Sequence, residues 1–152
     1  MPFSITTAIA YANAAPHIGF ALELTYADVI ARYRRMAGQE VSFLTGMDEH
    51  GQKISQKARD LGKTPKELTD ETADLYRALL TKLNISNTDF IRTTEPRHRV
   101  AVEMFWKRVA DRGWIYKKRY GGLYCVGCEQ FKTEKDLVNG LCPDHRVKPE
   151  YI

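Results

Sequence analysis

Residues 3–46 read FSITTAIAYANAAPHIGFALELTYADVIARYRRMAGQEVSFLTG and give the strongest indication of fold class in this chain. The first part, residues 3–9, is β-branched and apolar, which predicts a strand buried on both faces. A helical pattern then runs from Leu22 to Gly38, and residues 40–46 predict a second strand. Because a strand, a helix and a strand in this order need a right-handed crossover, we expect the two strands to pair in parallel.

The predicted helix carries its apolar side chains on one stripe. The positions that recur at helical spacing are Leu22, Tyr26, Val29, Ile30, Tyr33 and Ala37. The charged side chains mostly fall elsewhere, at Glu23, Asp28, Arg32, Arg34 and Arg35. This is the pattern of an amphipathic helix, whose apolar stripe packs on a core.

Segments further along the chain predict more helices and a third strand. Helices are predicted over QKISQKARDLG, residues 52–62, and over PKELTDETADLYRALLTKL, residues 65–83. The second helix begins with a capping box of Thr64 and Glu67. DFIRTTEP, residues 89–96, indicates a strand, and a last helix over residues 97–112 ends before a glycine. The expected fold class is therefore α/β, with helices packed on a parallel sheet.

Composition and charge limit the classes of protein that the chain can represent. With 152 residues, 43% of them apolar, the chain can bury a core. A formal charge of +4 and a pI near 9.0 weakly favour polyanionic partners such as nucleotides or nucleic acid. No long apolar run and no signal-peptide pattern are present, so we expect a cytoplasmic protein without membrane contact.

The pattern changes after residue 113, where short β-like runs and clustered cysteines indicate a small separate module. Cys125 and Cys128 form a CxxC pair, and Cys142 and His145 follow as CxxH. Three thiolates and an imidazole at this spacing favour a tetrahedral Zn²⁺ site. Because four protein ligands leave no open position, such a zinc would be structural. The alternative interpretation is three reduced cysteines without a metal.

Two loops are expected to meet where ligands bind parallel sheets, beyond the carboxyl ends of the strands. In the first loop, His17 precedes a helix and could donate a hydrogen bond to phosphate, with Gly19 allowing close approach. In the second loop, Asp48 could hold an ammonium group, and Ile9 and Tyr11 could wall an apolar pocket. The alternatives are a helix cap or core packing for His17 and a solvated turn for the second loop.

Four stretches in order resemble methionyl-tRNA synthetases, a family of class I aminoacyl-tRNA synthetases. They are AYANAAPHIGFALE, FLTGMDEHGQKI, DFIRTTEPRH and GLYCVGCEQFKTEKDLVNGLCPDH. The resemblance implies the first half of a Rossmann-type catalytic domain, a parallel sheet with helices on both faces, over residues 1–113. It also implies a zinc-knuckle connective insertion over residues 114–152. The implied activity is activation of methionine by ATP, with Mg²⁺, to methionyl-adenylate, followed by transfer to tRNA(Met).

The resemblance also assigns roles to residues. The implied catalytic residues are His17 and Asp48. The implied ATP-binding residues are Asn13, Pro16, His17, Gly19 and Glu23, and the implied methionine-binding residues are Ala8, Ile9, Tyr11 and Asp48. The implied zinc ligands are Cys125, Cys128, Cys142 and His145.

Two features depart from the family pattern. The HIGH element of the family ends in a second histidine, whereas this chain has Phe20, whose ring cannot donate to phosphate. No KMSKS-like loop is present, so we expect the chain alone to be inactive and to need the carboxyl-terminal part of a synthetase. The alternative function is a non-catalytic, zinc-containing module that binds a nucleotide or RNA.

Overall fold

The computed structural model describes residues 1–152, which divide into two compact units, Met1–Trp106 and Lys107–Ile152. The boundary predicted after residue 113 falls later in the chain than this division, just beyond the end of the fourth helix. No helix in the structure is long and apolar enough to cross a membrane.

A parallel sheet organises the first unit. Its strands are β1 (Phe3–Thr6), β2 (Ala10–Tyr11), β3 (Val41–Asp48) and β4 (Asp89–Arg92). The central strand β3 pairs in parallel with β1 and then β2 along one side, and with β4 along the other. The predicted parallel pairing of the first two strands and the α/β fold class are therefore confirmed.

The predicted first strand is interrupted. Residues 3–9 do not form one strand buried on both faces, because β1 ends at Thr6 and β2 begins at Ala10. Along β1, Phe3 and Ile5 pack against the core while Ser4 and Thr6 are exposed. The prediction was wrong on burial since β-branched composition does not distinguish a strand covered on one face from a strand covered on both.

Four helices connect and flank the strands. They are α1 (Ile18–Met36), α2 (Gln52–Asp60), α3 (Pro65–Lys82) and α4 (Pro96–Asp111). The Thr64 side chain accepts from the backbone N–H of Glu67, and the Glu67 carboxylate accepts from that of Thr64, which confirms the capping box. Gly38 follows α1 with φ +76°, a left-handed conformation that ends the helix at low steric cost.

The buried face of α1 differs from the predicted stripe. Its buried residues are Phe20, Leu24, Ala27, Asp28 and Ala31. The large side chains of the predicted stripe are exposed, namely Leu22, Tyr26, Val29, Ile30 and Tyr33. The helix instead packs through small alanines against Phe3, Ile5, Val41 and Phe43 of β1 and β3, so the prediction of its core face was wrong.

A close contact between β3 and β4 explains one glycine of the central strand. A Cβ atom on Gly46 would lie 2.0 Å from the carbonyl oxygen of Ile91 in β4. Since no side chain fits at that distance, the two strands can approach here only with glycine at this position. The neighbouring Phe43 and Met47 of β3 are fully buried and anchor the core on either side.

The second unit contains a small antiparallel sheet. Its strands are β5 (Leu123–Cys125), β6 (Gln130–Lys132) and β7 (Glu150–Tyr151), in the order β6–β5–β7, and a 3₁₀ turn spans Glu134–Asp136. The fully buried hydrophobic side chains of this unit are Cys125 and Cys142. Leu123, Tyr124 and Leu137 are half-buried, and many other large hydrophobic residues of the unit, such as Tyr151, are exposed, so apolar burial contributes little to its stability.

Candidate functional site

The loop after β2 lies beside the end of β3. Tyr11 is the register partner of Asp48, and the backbone N–H of Ala12 donates to the Asp48 carbonyl at 2.9 Å. The two predicted ligand-binding loops therefore leave the sheet at the same edge, as parallel strands require.

A cavity of about 260 Å³ opens at this edge. It is lined by Ala10, Tyr11, Asn13, Ala14, His17, Gly19, Phe20, Glu23 and Tyr76. Five predicted site residues are among them: Tyr11, Asn13, His17, Gly19 and Glu23. The structure does not place Ala8, Ile9, Pro16 or Asp48 in its wall, although Asp48 is adjacent to Tyr11 across the sheet.

His17 caps α1 and keeps one ring nitrogen for another partner. The His17 backbone is extended, and its Nδ1 accepts a hydrogen bond from the backbone N–H of Gly19 at 3.1 Å. A neutral imidazole whose Nδ1 accepts carries its proton on Nε2, so Nε2–H is a donor at the positive end of the helix. The structure thus shows His17 as a helix cap, which was the alternative interpretation. Because the cap uses Nδ1, Nε2 can still donate a hydrogen bond to a phosphate.

Gly19 lies directly under the His17 ring. A Cβ atom at this position would be 3.0 Å from Cε1 and 3.1 Å from Nδ1 of the ring. A side chain would therefore disturb both the cap and the direction of Nε2. This contact gives a physical reason for a glycine two residues after the histidine.

Glu23 reaches from α1 to the segment that connects β1 and β2, residues 7–9. Its Oε1 accepts a hydrogen bond from the backbone N–H of Ala8 at 2.7 Å. The Thr7 hydroxyl lies 2.8 Å from the Ala8 carbonyl oxygen and 2.7 Å from the Thr45 hydroxyl, and the contact with Thr45 ties the same segment to β3. Glu23 thus holds the backbone of the residues predicted to bind methionine while also lining the cavity.

Phe20 and Tyr76 form the aromatic part of the cavity wall. Phe20 is 7% exposed and its ring meets that of Tyr76 edge to face, with centroids 4.8 Å apart. Sequence reasoning did not find Tyr76, which is in α3. No local pattern marks it, because a tyrosine on an amphipathic helix is indistinguishable from an ordinary core residue.

A buried ion-pair network supports the end of β3 next to Asp48. The Glu49 side chain is fully buried and accepts from Arg92 Nε at 2.5 Å and from the Thr94 hydroxyl. Arg92 also donates to Asp70 of α3 at 2.7 Å. Burial acts to lower the pKa of Arg92, but its hydrogen bonds to Glu49 and Asp70 outweigh burial and raise it. The network ties β3, β4 and α3 together at the edge that carries the site.

The second unit brings the four predicted metal ligands together. The Sγ atoms of Cys125, Cys128 and Cys142 and a ring nitrogen of His145 all lie within 4.8 Å of one another. Cys128 Sγ is 3.4 Å from Cys142 Sγ and 3.2 Å from His145 Nδ1. A tetrahedral zinc with about 2.3 Å bonds to sulfur places its ligand atoms about 3.5–3.8 Å apart, so the cluster fits such an ion.

The cluster also has the chemistry of a cation site. Hydrogen bonds from the His145 backbone, opposed by burial, lower the pKa of Cys142 to about 6. Burial and the sulfurs of the other two cysteines raise the pKa of Cys128 to about 12. The opposite directions of these two pKa shifts indicate repulsion between adjacent thiolates, which a bound cation would relieve.

Gly127 makes room for the histidine of the cluster. A Cβ atom on Gly127 would lie 2.4 Å from a carbon of the His145 ring. The turn of the CxxC pair and the imidazole therefore lie in direct contact, with no room for a side chain between them. This contact fixes the ring beside the three sulfur atoms.

Comparison with known proteins agrees with both parts of the chain. The family described as tRNA synthetases class I (M) matches residues 3–151. The chain belongs to this family. A methionine–tRNA ligase of Clostridium perfringens is 50% identical over 143 residues, which cover 94% of this chain and 22% of that protein. One from Rickettsia bellii is 50% identical over 136 residues, covering 90% of this chain and 27% of that protein.

A solved structure gives the same family assignment. The crystal structure of Mycobacterium tuberculosis methionyl-tRNA synthetase bound by methionyl-adenylate is 40% identical and superposes with a TM-score of 0.92. The match covers all of this chain and 31% of that one. The chain thus spans about a quarter of the length of the curated relatives it matches. The resemblance to methionyl-tRNA synthetases, which we inferred from four stretches of the sequence, is confirmed.

Proposed function

We propose that the chain forms the part of a methionyl-tRNA synthetase that binds ATP and methionine. In the complete enzyme it would activate methionine with ATP and Mg²⁺ to methionyl-adenylate and transfer the methionyl group to tRNA(Met). The remaining partner is the carboxyl-terminal part of the synthetase, which would supply the KMSKS-like loop. We keep cytoplasmic location and the division into residues 1–113 and 114–152 as predictions.

One observation supports this proposal above the others. His17, whose Nε2 is left as a donor when Nδ1 accepts, lies at the N-terminus of α1 and lines a cavity together with Asn13, Gly19 and Glu23. A helix N-terminus with a neutral ring donor suits the phosphates of ATP. Asp48, register partner of Tyr11 in the cavity wall, has a carboxylate suited to the protonated amine of methionine.

Paired substitutions of His17 separate nucleotide binding from helix capping. Asparagine is a good N-cap, so His17→Asn should keep the melting temperature near that of the wild type, whereas His17→Ala should lower it. Both variants should lose MgATP affinity in isothermal titration calorimetry, because both lack Nε2–H. If His17→Asn binds MgATP as tightly as the wild type, His17 is only a cap and the proposed phosphate contact is wrong.

Substitution of Asp48 tests the part of the site that is proposed to bind methionine. Asp48→Asn keeps the shape of the side chain but removes the charge that would pair with the ammonium group of methionine. We expect methionine affinity to fall at least tenfold, in line with loss of a charge-assisted hydrogen bond, while MgATP affinity changes little. Unchanged methionine binding would remove Asp48 from the proposed site.

Catalysis requires a different measurement from binding. We expect methionine-dependent exchange of pyrophosphate into ATP when the chain is combined with a carboxyl-terminal half of a related synthetase, and none with the chain alone. Binding of both ligands without exchange in any combination would favour the alternative function, a non-catalytic module. Phe20 is a reason to test this alternative, because its buried ring packs on Tyr76 and offers no hydrogen-bond donor to ATP.

We also propose that the cluster of Cys125, Cys128, Cys142 and His145 holds a structural Zn²⁺. The three sulfurs and one imidazole would complete its tetrahedron and leave no site for water, so the ion would stabilise the second unit without taking part in the reaction. Elemental analysis should find one zinc per chain. A stoichiometry far below one, with freely reactive Cys125 and Cys142, would contradict this assignment.

A further inference from the structure

Phe20 leaves one position of the candidate site without a hydrogen-bond donor. It is the third residue of α1, close to the capping His17, and its ring is buried. A phenyl ring there contributes apolar packing but cannot bind a phosphate oxygen. A hydrogen bond in place of the one that this side chain cannot make must therefore come from another residue.

Tyr76 of α3 supplies a donor beside the Phe20 ring. It is 4% exposed, lines the same cavity as His17 and Asn13, and makes the edge-to-face contact with Phe20. Its phenol group makes no hydrogen bond within the protein. A tyrosine buried to this extent normally pairs its hydroxyl, so an unpaired one in a cavity wall points to a ligand.

Tyr76 lines the cavity, and its hydroxyl oxygen is not fully enclosed by protein. Only two fully buried side-chain polar atoms lack a partner, Arg34 Nε and Gln39 Oε1, so the Tyr76 oxygen is not sealed in the core. A phenol is protonated near neutral pH, and burial raises the pKa of Tyr76 further above its ordinary value. The group is therefore a neutral O–H donor, which suits the anionic oxygen of a phosphate.

We propose that the Tyr76 hydroxyl donates a hydrogen bond to a phosphate oxygen of the nucleotide bound in this cavity. It thereby provides, from α3, a donor that Phe20 cannot provide from α1. This inference rests on the proposed function, since it assumes that the cavity holds the phosphates of ATP. Phe20 and Tyr76 then act as a pair, in which one ring packs and positions the other.

Tyr76→Phe is the sharpest test because it removes one oxygen atom and keeps the ring that packs on Phe20. Loss of a hydrogen bond to a charged oxygen should weaken MgATP binding by about tenfold to a hundredfold in calorimetry. Inorganic tripolyphosphate should be weakened to the same extent, and methionine binding should not change. Tyr26→Phe, at an exposed tyrosine of α1, is the matched control and should bind like the wild type.

The outcomes separate this inference from the proposed function. If the wild-type chain binds neither MgATP nor tripolyphosphate, both fail. If the wild type binds and Tyr76→Phe binds equally well, only the role of Tyr76 is wrong. If MgATP binding weakens while tripolyphosphate binding does not, the hydroxyl contacts the nucleoside and the phosphate assignment is overturned.

A second variant tests whether Tyr76 compensates for Phe20. Phe20→His returns an imidazole donor to α1, so Tyr76→Phe should cost less MgATP affinity in the Phe20→His background than in the wild type. Thermal unfolding of the single variant checks that the buried imidazole is tolerated. Should Phe20→His not fold, Phe20→Leu replaces it, and removing the ring contact should reduce MgATP affinity through displacement of Tyr76. Equal costs in both backgrounds, or unchanged affinity in Phe20→Leu, would contradict the pairing.

Discussion

Replacement of Arg92 by methionine should destabilise the protein far more than the same replacement of Arg97. Both guanidinium groups bridge two carboxylates, Arg92 with Glu49 and Asp70 and Arg97 with Asp89 and Glu95. They differ in burial, since the side chain of Arg92 is 15% exposed and that of Arg97 is 50% exposed. The comparison therefore isolates the effect of burial on one kind of interaction.

The expected cost for Arg92→Met follows from the state of Glu49. The Glu49 side chain is 0% exposed, so the variant leaves a buried carboxylate with only the Thr94 hydroxyl as a side-chain donor. Removing one partner of a buried ion pair costs about 3–5 kcal/mol. With a urea m-value of about 1.5–2 kcal/mol per molar, a loss of about 3 kcal/mol lowers the unfolding midpoint by about 1.5–2 M. For Arg97→Met we expect almost no change, because exposed ion pairs contribute little.

Urea denaturation followed by far-ultraviolet circular dichroism measures both variants under identical conditions. The double variant Glu49→Gln/Arg92→Met should recover part of the stability, because it no longer leaves a buried charge unpaired. Equal midpoint shifts for Arg92→Met and Arg97→Met would show that burial does not determine the strength of these pairs. A shift at Arg92 that the double variant does not reduce would show that the loss comes from packing.

Three further predictions concern other parts of the chain. Thr64→Ala, which removes the cap of α3, should cost about 1 kcal/mol in urea denaturation. Gly127→Ala should weaken metal binding about tenfold or more in a competition assay with a chromogenic chelator, because the new Cβ displaces the His145 ring. Burial acts to raise the pKa of Asp28, but hydrogen bonds from Ser86 and Arg32 lower it below its ordinary value of 3.8, so its stabilisation is present above about pH 4 and lost as the pH falls further. The difference in urea midpoint between wild type and Asp28→Asn should therefore shrink between about pH 6 and about pH 3.

The features predicted correctly from the sequence are those with local causes. The capping box depends on Thr64 and Glu67 three residues apart, and the clustered metal ligands depend on two short turns. The parallel pairing of β1 and β3 follows from chain connectivity, since one helix separates two strands. In each case the residues that matter are close in sequence or joined by a single element.

The features that the sequence did not predict depend on distant contacts. Periodicity showed that α1 is amphipathic but not which face is buried, and the helix packs through Ala27 and Ala31 while Tyr26 and Tyr33 are exposed. Phe20 was recognised as a missing donor, but its contact with Tyr76 joins residues in two different helices. Only the folded arrangement brings such pairs together, because side chains far apart in sequence meet through the packing of whole elements.

The central strand also limits how the length of this chain can change. Leu44 is the register partner of both Thr6 and Asp89, and Met47 is the partner of both Ala10 and Arg92. Inserting or deleting one residue between Leu44 and Met47 would turn the following side chains to the opposite face and misalign two neighbours at once. Natural variation in length should therefore occur in the connections outside β3, while the strand itself should keep its eight residues.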